Sequence, residues 1–253
     1  MTTRCLSVCA RILTSTAPLA ATIILVGGCA TYTTPGGPAP IGKMTTESVA
    51  DRLRCVPEAP IPATMAYARV QDSGWRSWTD DGVARGNLSL VGPRELEREV
   101  DAKAMAAWPD VKALVRLTPI LVPTHTDSLL AMREGAASLQ ADVLALYTLD
   151  TDFHVDDHDF GPLGIISLGF APTKNARVTC TVSIAFFDVR TGFCYGTAEA
   201  TASDDQLASA WTSSDAVDQC RRRVERQAFV ALIPQAGKAW GQAAANRRVA
   251  LGQ

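Results

Sequence analysis

Residues Arg177 to Val189 alternate in character, and this alternation constrains the fold more than any other feature of the chain. Val178, Cys180, Val182, Ile184 and Phe186 face one way, while Thr179, Thr181 and Ser183 face the other. A period of two marks a strand with one buried face and one wetter face. Arg190-Thr191-Gly192 follows, with glycine free to supply the positive φ of a tight turn. Phe193 to Ala202 then returns, so a hairpin is predicted. A long helix is predicted to start at Ser213 or Ser214 and run through Leu232. Val217, Cys220, Val224, Ala228 and Ala231 share one face of that helix. Pro234 is expected to end or kink it, with the Ala-rich tail past Trp240 able to continue as helix.

The upstream elements complete a sheet. Thr45 to Leu53 reads as a short helix, and Pro57, Pro60 and Pro62 break the chain before a strand at Ala63 to Gln71. Asp72 to Gly92 reads as a polar loop, where Trp75 and Trp78 either stack on a sugar or partner or fold back as anchors. Pro93 to Ala107 reads as a helix with Leu96, Val100 and Ala104 inward, and Val111 to Leu117 leads to a short strand at Pro119 to Pro123. Asp127 is expected to cap a helix over Ser128 to Gln140, with Leu129, Leu130, Met132, Ala136 and Leu139 inward. The unbroken apolar run Val143 to Tyr147 marks Asp142 to Phe153 as a central strand. This order predicts an α/β (α+β) fold: a mixed sheet of about five strands, helices packed on it and a long C-terminal helix.

The first residues read as an export signal. Met1 to Arg11 carries Arg4 and Arg11 and no acid, and Ile12 to Val26 is largely apolar but interrupted by Thr14, Ser15, Thr16 and Pro18. A spanning helix needs about 20 apolar residues, so removal is favoured over retention. Leu25-Val26-Gly27-Gly28-Cys29 resembles the lipobox of bacterial lipoproteins. The resemblance implies that residues 1–28 are a signal peptide and that Cys29 carries the lipid, a palmitate-type acylation. Residues 29–43, rich in Pro and Gly, are then expected to be a flexible tether, and residues 44–253 a single α/β envelope domain. Ala30 and Thr31 stand where an Asp would signal inner-membrane retention, so the outer membrane, facing the periplasm, is expected.

Ala141 to Thr148, Thr179 to Asp188 and the turn Val189-Arg190-Thr191-Gly192 resemble envelope lipoproteins with an α/β domain like the curli-secretion lipoprotein and the N-terminal domain of TolB. In those, a helix end leads into a central strand, and a later strand closes on an Asp-Val-x-Thr-Gly turn. The lipobox, the Tyr147-Thr148 strand, Gly169 to Pro172 and the Thr-Gly hairpin also resemble the rhombotarget lipoprotein group. The resemblance covers Ala63 to Trp240 and implies fold more than function.

The whole chain has 24 basic and 26 acidic residues, and removal of residues 1–28 takes two arginines with it. A mildly acidic domain has no electrostatic footprint for nucleic acid. Setting aside Cys5, Cys9 and Cys29 leaves Cys55, Cys180, Cys194 and Cys220, an even set in a disulfide-permissive compartment. Cys180 and Cys220 lie on the apolar faces of the hairpin and of the long helix, so they are the expected pair if the helix packs back over the hairpin.

Asp150, Asp152, His154, Asp156 and His158 alternate, so an extended strand would place them on one face as candidate metal ligands. A solvated strand end explains the same residues. Gly161 to Pro172 is apolar and studded with Gly and Pro; Ile165, Ile166, Leu168 and Phe170 make it either a partner-binding patch or buried core. No G-x-S-x-G, H-E-x-x-H, P-loop or G-x-G-x-x-G occurs, and His125 reads as a helix-entrance residue. The expectation is a non-enzymatic, membrane-anchored lipoprotein without a cofactor that binds or assembles with another envelope protein. The alternative is a metal-dependent or glycan-directed envelope hydrolase using Asp150 to Asp159.

Overall fold

The alternating segment lies inside a six-stranded mixed sheet with strand order β2-β1-β4-β5-β6, where β3 pairs with β1 off this path. The strands are β1 (Ala63–Asp72), β2 (Leu88–Val91), β3 (Val111–Arg116), β4 (Val143–Asp157), β5 (Pro172–Asp188) and β6 (Cys194–Ser209). The helices are α1 (Val49–Arg54), α2 (Glu99–Ala106), α3 (Leu129–Ser138) and α4 (Ser213–Leu251). The computed structural model describes residues 37–43, 47–72, 88–91, 96–122, 128–157, 172–209 and 213–252. Cys29 and everything before it, Trp75, Trp78, His125, Asp127, His158 and the Ile165, Ile166, Leu168 and Phe170 patch lie outside these residues.

The mixed α/β fold, with its long C-terminal helix, is as expected. β1 runs parallel to β3 and β4, while β4, β5 and β6 form antiparallel ladders. Val178, Cys180, Val182, Ile184 and Phe186 are all buried in one core cluster, beneath α4. Gly192 takes φ 77° at the turn. A Cβ there would also come within 2.8 Å of Arg133 Nη1 on α3. Arg133 Nε donates to the Val189 carbonyl at 2.9 Å, and its Nη2 donates to the Arg190 carbonyl, so α3 braces the turn.

The second face of the sheet packs Leu144, Leu146, Ala185 and Phe187 against Leu129, Met132 and Ala136 of α3. Ser128, rather than Asp127, is the α3 N-cap: its hydroxyl accepts from Ala131 N at 3.3 Å. Leu130 is exposed. α4 is continuous through Pro234. Pro234 cannot donate to the Val230 carbonyl, but both residues lie on the exposed side, where water can serve that oxygen. The buried stripe of α4 runs Cys220, Val224, Ala228, Leu232, Ala236, Trp240, Ala244, so Leu232 takes the inward place expected of Ala231.

Other expectations are corrected. β2 forms inside the stretch read as a loop. Pro119 to Leu121 is a 3-10 turn, because Pro119 lacks the donor a ladder needs, and the strand is Val111–Arg116 instead. In α2 the buried residues are Asp101 and Met105, whereas Val100 is exposed. Asp101 Oδ2 accepts from Arg98 N at 2.7 Å, and Asp101 Oδ1 accepts from Arg226 Nη2 of α4 at 2.8 Å. That ion pair orients the helix, overriding its apolar pattern.

The stretch expected as tether contributes an arm to the domain. Pro38 bridges to Gln71, Asp72 N donates to the Gly37 carbonyl at 3.2 Å, and Ile41–Lys43 is a short 3-10 helix. The arm arrives where β1 and β4 stop pairing, after Ala68 and Leu146. There the buried Gln71 side chain replaces a strand: Leu149 N donates to its Oε1 at 2.7 Å, and its Nε2 donates to the Leu149 carbonyl at 2.9 Å. Thr148 Oγ1 donates to the same Oε1 at 3.2 Å and accepts from Ala39 N at 2.8 Å. Replacing Gln71 with Leu leaves both Leu149 backbone groups buried and unmatched. The expected loss in urea unfolding is about 2–4 kcal/mol, since each orphaned group costs roughly 1–3 kcal/mol. A loss below about 1 kcal/mol would contradict this role for Gln71.

Candidate functional site

The arm and the β5–β6 hairpin enclose a groove of about 600 Å³ on the face opposite α4. On β6, Ala198, Ala200 and Ala202 pack toward α4, and the alternate positions Thr197, Glu199 and Thr201 face the groove side. Ala39, Ile41, Ala185, Phe187 and Phe193 supply an apolar lining. Around it stand Glu47, Arg52, Thr148, Ser183, Thr197 and Glu199. The hydroxyl groups there pair across strands: Ser183 Oγ donates to Glu199 Oε1 at 3.0 Å, and the Thr181 and Thr201 hydroxyls meet at 2.8 Å.

One buried carboxylate ties the hairpin turn to the segment that leads from α1 to β1. Asp188 Oδ2 accepts from Glu58 N at 2.6 Å, Ala59 N at 2.7 Å and Tyr195 Oη at 2.8 Å. Asp188 Oδ1 accepts from Arg190 N at 2.9 Å and Thr191 N at 3.0 Å. Burial pushes this carboxyl upward, but the donors from Glu58, Thr191, Tyr195 and Ala59 outweigh it and hold the group below the usual carboxylate range. Thr191 Oγ1 accepts from Phe193 N at 3.3 Å, so each polar residue of Asp188-Val189-Arg190-Thr191-Gly192 has a place in the turn. Burial and the Asp188 bond together push the Tyr195 hydroxyl well upward, so it stays a donor. Its ring meets Trp240 of α4 edge to face, with centroids 5.7 Å apart.

A second polar cluster lies on the α4 side. Glu97 accepts from Tyr147 Oη and from both terminal nitrogens of Arg116, with Arg116 Nη2 at 3.0 Å. Arg116 lies over the Tyr67 ring at 5.4 Å, and burial raises the Glu97 carboxyl despite that guanidinium. Arg221 Nη1 donates to Glu225 Oε2 at 2.8 Å, and Thr151 Oγ1 donates to Glu225 Oε1 at 3.2 Å. These carboxylates are occupied by protein partners: Glu97 ties the approach to α2 to β3 and β4, and Glu225 ties α4 to β4.

Of the sequence-derived site residues, Asp150, Asp152, His154 and Asp156 do occupy alternate positions on β4, opposite Thr181, Thr179, Arg177 and Asn175. Asp150 and Asp152 are exposed, and burial followed by the Asp152 charge raises the Asp150 carboxyl. Among the described residues no group of three or more His, Cys, Asp or Glu converges as a metal site would require. Cys180 and Cys220 are both buried in the core beneath α4, and Cys55, Cys180, Cys194 and Cys220 are all thiols in this structure, so the expected Cys180–Cys220 bridge is not formed in it. Cys180 pairs in register with Ala202 on β6, whereas Cys220 Sγ lies over the Asp204 carbonyl at 4.0 Å. Cys220 therefore sits one strand across and two residues along from Cys180. The groove itself was missed in the sequence. The Asp-Val-x-Thr-Gly turn was the signal that could have located its hairpin wall, had Asp188 been read as an acceptor for Glu58 and Ala59 as well as for the turn.

Asp188→Asn turns acceptor lone pairs into donors facing buried N–H groups. The expected loss is about 3 kcal/mol at neutral pH, by the cost of roughly 1–3 kcal/mol per unmatched donor. A depressed folded-state pKa contributes stability above the ordinary value of 3.8, and that contribution fades as pH falls through the folded value. Urea titrations of the native chain should therefore show stability dropping below about pH 4, with a shallower drop in Asp188→Asn.

No protein-family model matches this chain, and no curated protein matches it either.

Proposed function

We propose that this chain is a membrane-anchored, non-enzymatic bacterial lipoprotein that captures another envelope component in the groove between its arm and the β5–β6 hairpin. The observation that carries the reading is the position of the arm. Gly37 forms part of it and lies eight positions after Cys29. A fully extended chain spans at most about 3.6 Å per residue, so a lipid on Cys29 would hold the arm within about 29 Å of its anchor. A partner in the same membrane then meets the groove at high effective concentration, and modest affinity suffices. The resemblance to the rhombotarget lipoprotein group belongs to this proposal, as does placement at the outer membrane.

The lining also suits a particular partner chemistry. Its apolar floor is bordered by Glu47 and Glu199, and Asp150 and Asp152 are exposed on the same face of the sheet. A segment with an apolar anchor and flanking basic groups would satisfy both. Among the described residues no helix is long and apolar enough to cross a membrane.

Two variants test the reading. Cys29→Ser should abolish incorporation of labelled palmitate and move the exported chain from the membrane to the soluble fraction; retention in the membrane refutes the anchor. Thr197→Arg fills the groove from an exposed position and should leave the melting temperature unchanged. It should also remove the partner that co-elutes from solubilised membranes, and an unchanged set of co-eluting proteins refutes capture in this groove.

A further inference from the structure

We propose that Cys55 and Cys194 form a disulfide at the lip of the groove, which locks the end of α1 to the β5–β6 hairpin. The oxidising setting rests on the envelope reading above, whereas the geometry does not. Both residues line the groove. Cys55 closes α1, and its Sγ donates to the Thr191 carbonyl at 3.2 Å. Thr191 is three residues before Cys194 on the same turn. Three residues beyond Cys55, Glu58 N donates to the Asp188 carboxylate that also accepts from Thr191 N. The two backbones are thus pinned to one carboxylate three residues from each thiol, which restricts how far apart the thiols can sit. A bridge needs Cα atoms within about 7 Å, and within such a span rotation of Cys55 off the Thr191 carbonyl frees its Sγ to bond. Cys194 Sγ makes only a 3.8 Å contact with the Gly196 carbonyl and is easily turned.

Exposure separates this pair from the other. Cys194 is exposed and Cys55 partly so, whereas Cys180 and Cys220 are fully buried. Burial pushes the Cys180 thiol to about 12, which leaves essentially no thiolate for exchange. The oxidant is a small-molecule or protein disulfide. The Cys194 thiolate attacks one of its sulfurs and expels the first thiolate, forming a mixed disulfide. The Cys55 thiolate then attacks the Cys194 sulfur and expels the second. Both protons leave with the expelled thiols, and the two electrons lost by the cysteines reduce the oxidant. Burial raises the Cys194 thiol, so bridging should accelerate between about pH 7 and pH 9 as more thiolate forms.

The test treats the reduced, purified full chain with oxidised glutathione and maps its peptides without reduction. The expected result is a Cys55–Cys194 linked peptide, with no glutathione left on either residue. Cys55→Ser should instead retain glutathione on Cys194. The bridge closes a long loop, so it should raise the melting temperature by roughly 5 °C or more, a gain that Cys194→Ser abolishes. Separate glutathione adducts on Cys55 and Cys194 of the native chain, or a Cys180–Cys220 linked peptide in their place, would overturn the proposal. Because the chemistry is read on purified protein, it succeeds or fails independently of whether Cys29 carries a lipid.

Discussion

The Asp188 carboxylate is the joint on which the rest of the structure depends. A buried charge without partners would be very costly, so its donors must be assembled together for the folded state to hold it. Those donors come from three parts of the chain: Glu58 and Ala59 ahead of β1, Arg190 and Thr191 in the hairpin turn, and Tyr195 at the start of β6. Tyr195 carries the connection onward to Trp240 of α4. One side chain therefore sets the position of the segment leading from α1, the shape of the turn and the seat of the long helix. The hairpin wall of the groove follows from the turn, while the arm that faces it is held separately by Thr148 and Asp72.

Gln71 does comparable work with neutral chemistry. Where β1 and β4 diverge, a side-chain amide supplies the donor and acceptor that a neighbouring backbone would have supplied. The divergence leaves room for the arm, and Thr148 links arm and amide through one hydroxyl. The ionic joint and the neutral joint thus sit at opposite ends of the groove-forming elements. Neither contributes a reactive group to the groove.

Much of this architecture was legible in the chain. Alternation at Val178 to Phe186 identified both the strand and its buried face, and Gly192 marked the turn. These signals are local, because strand period and left-handed backbone are properties of adjacent residues. The parts that were not legible depend on distant partners. The buried face of α2 is set by Asp101 meeting Arg226, far along the chain, and no pattern within α2 reveals it. β2 is short and gains its place only by pairing with Arg69 to Asp72. The arm reads as Pro/Gly-rich linker because its anchoring acceptor, Thr148, belongs to another strand. The groove was hidden for the same reason, whereas the Asp/His alternation on β4 was visible but brings no third ligand into reach among the described residues.

The arm's attachment has a mechanical consequence. A pull transmitted through the residues before Gly37 would reach the sheet at the Asp72–Gly37 and Ala39–Thr148 hydrogen bonds before it reaches any full strand ladder. These contacts are few and belong to a single short bridge, so the arm is the element that yields first under tension. The β4–β5–β6 ladders carry many bonds in parallel and would remain intact. Load on that end would then be converted into movement of the groove's arm wall, while the sheet behind it stays rigid.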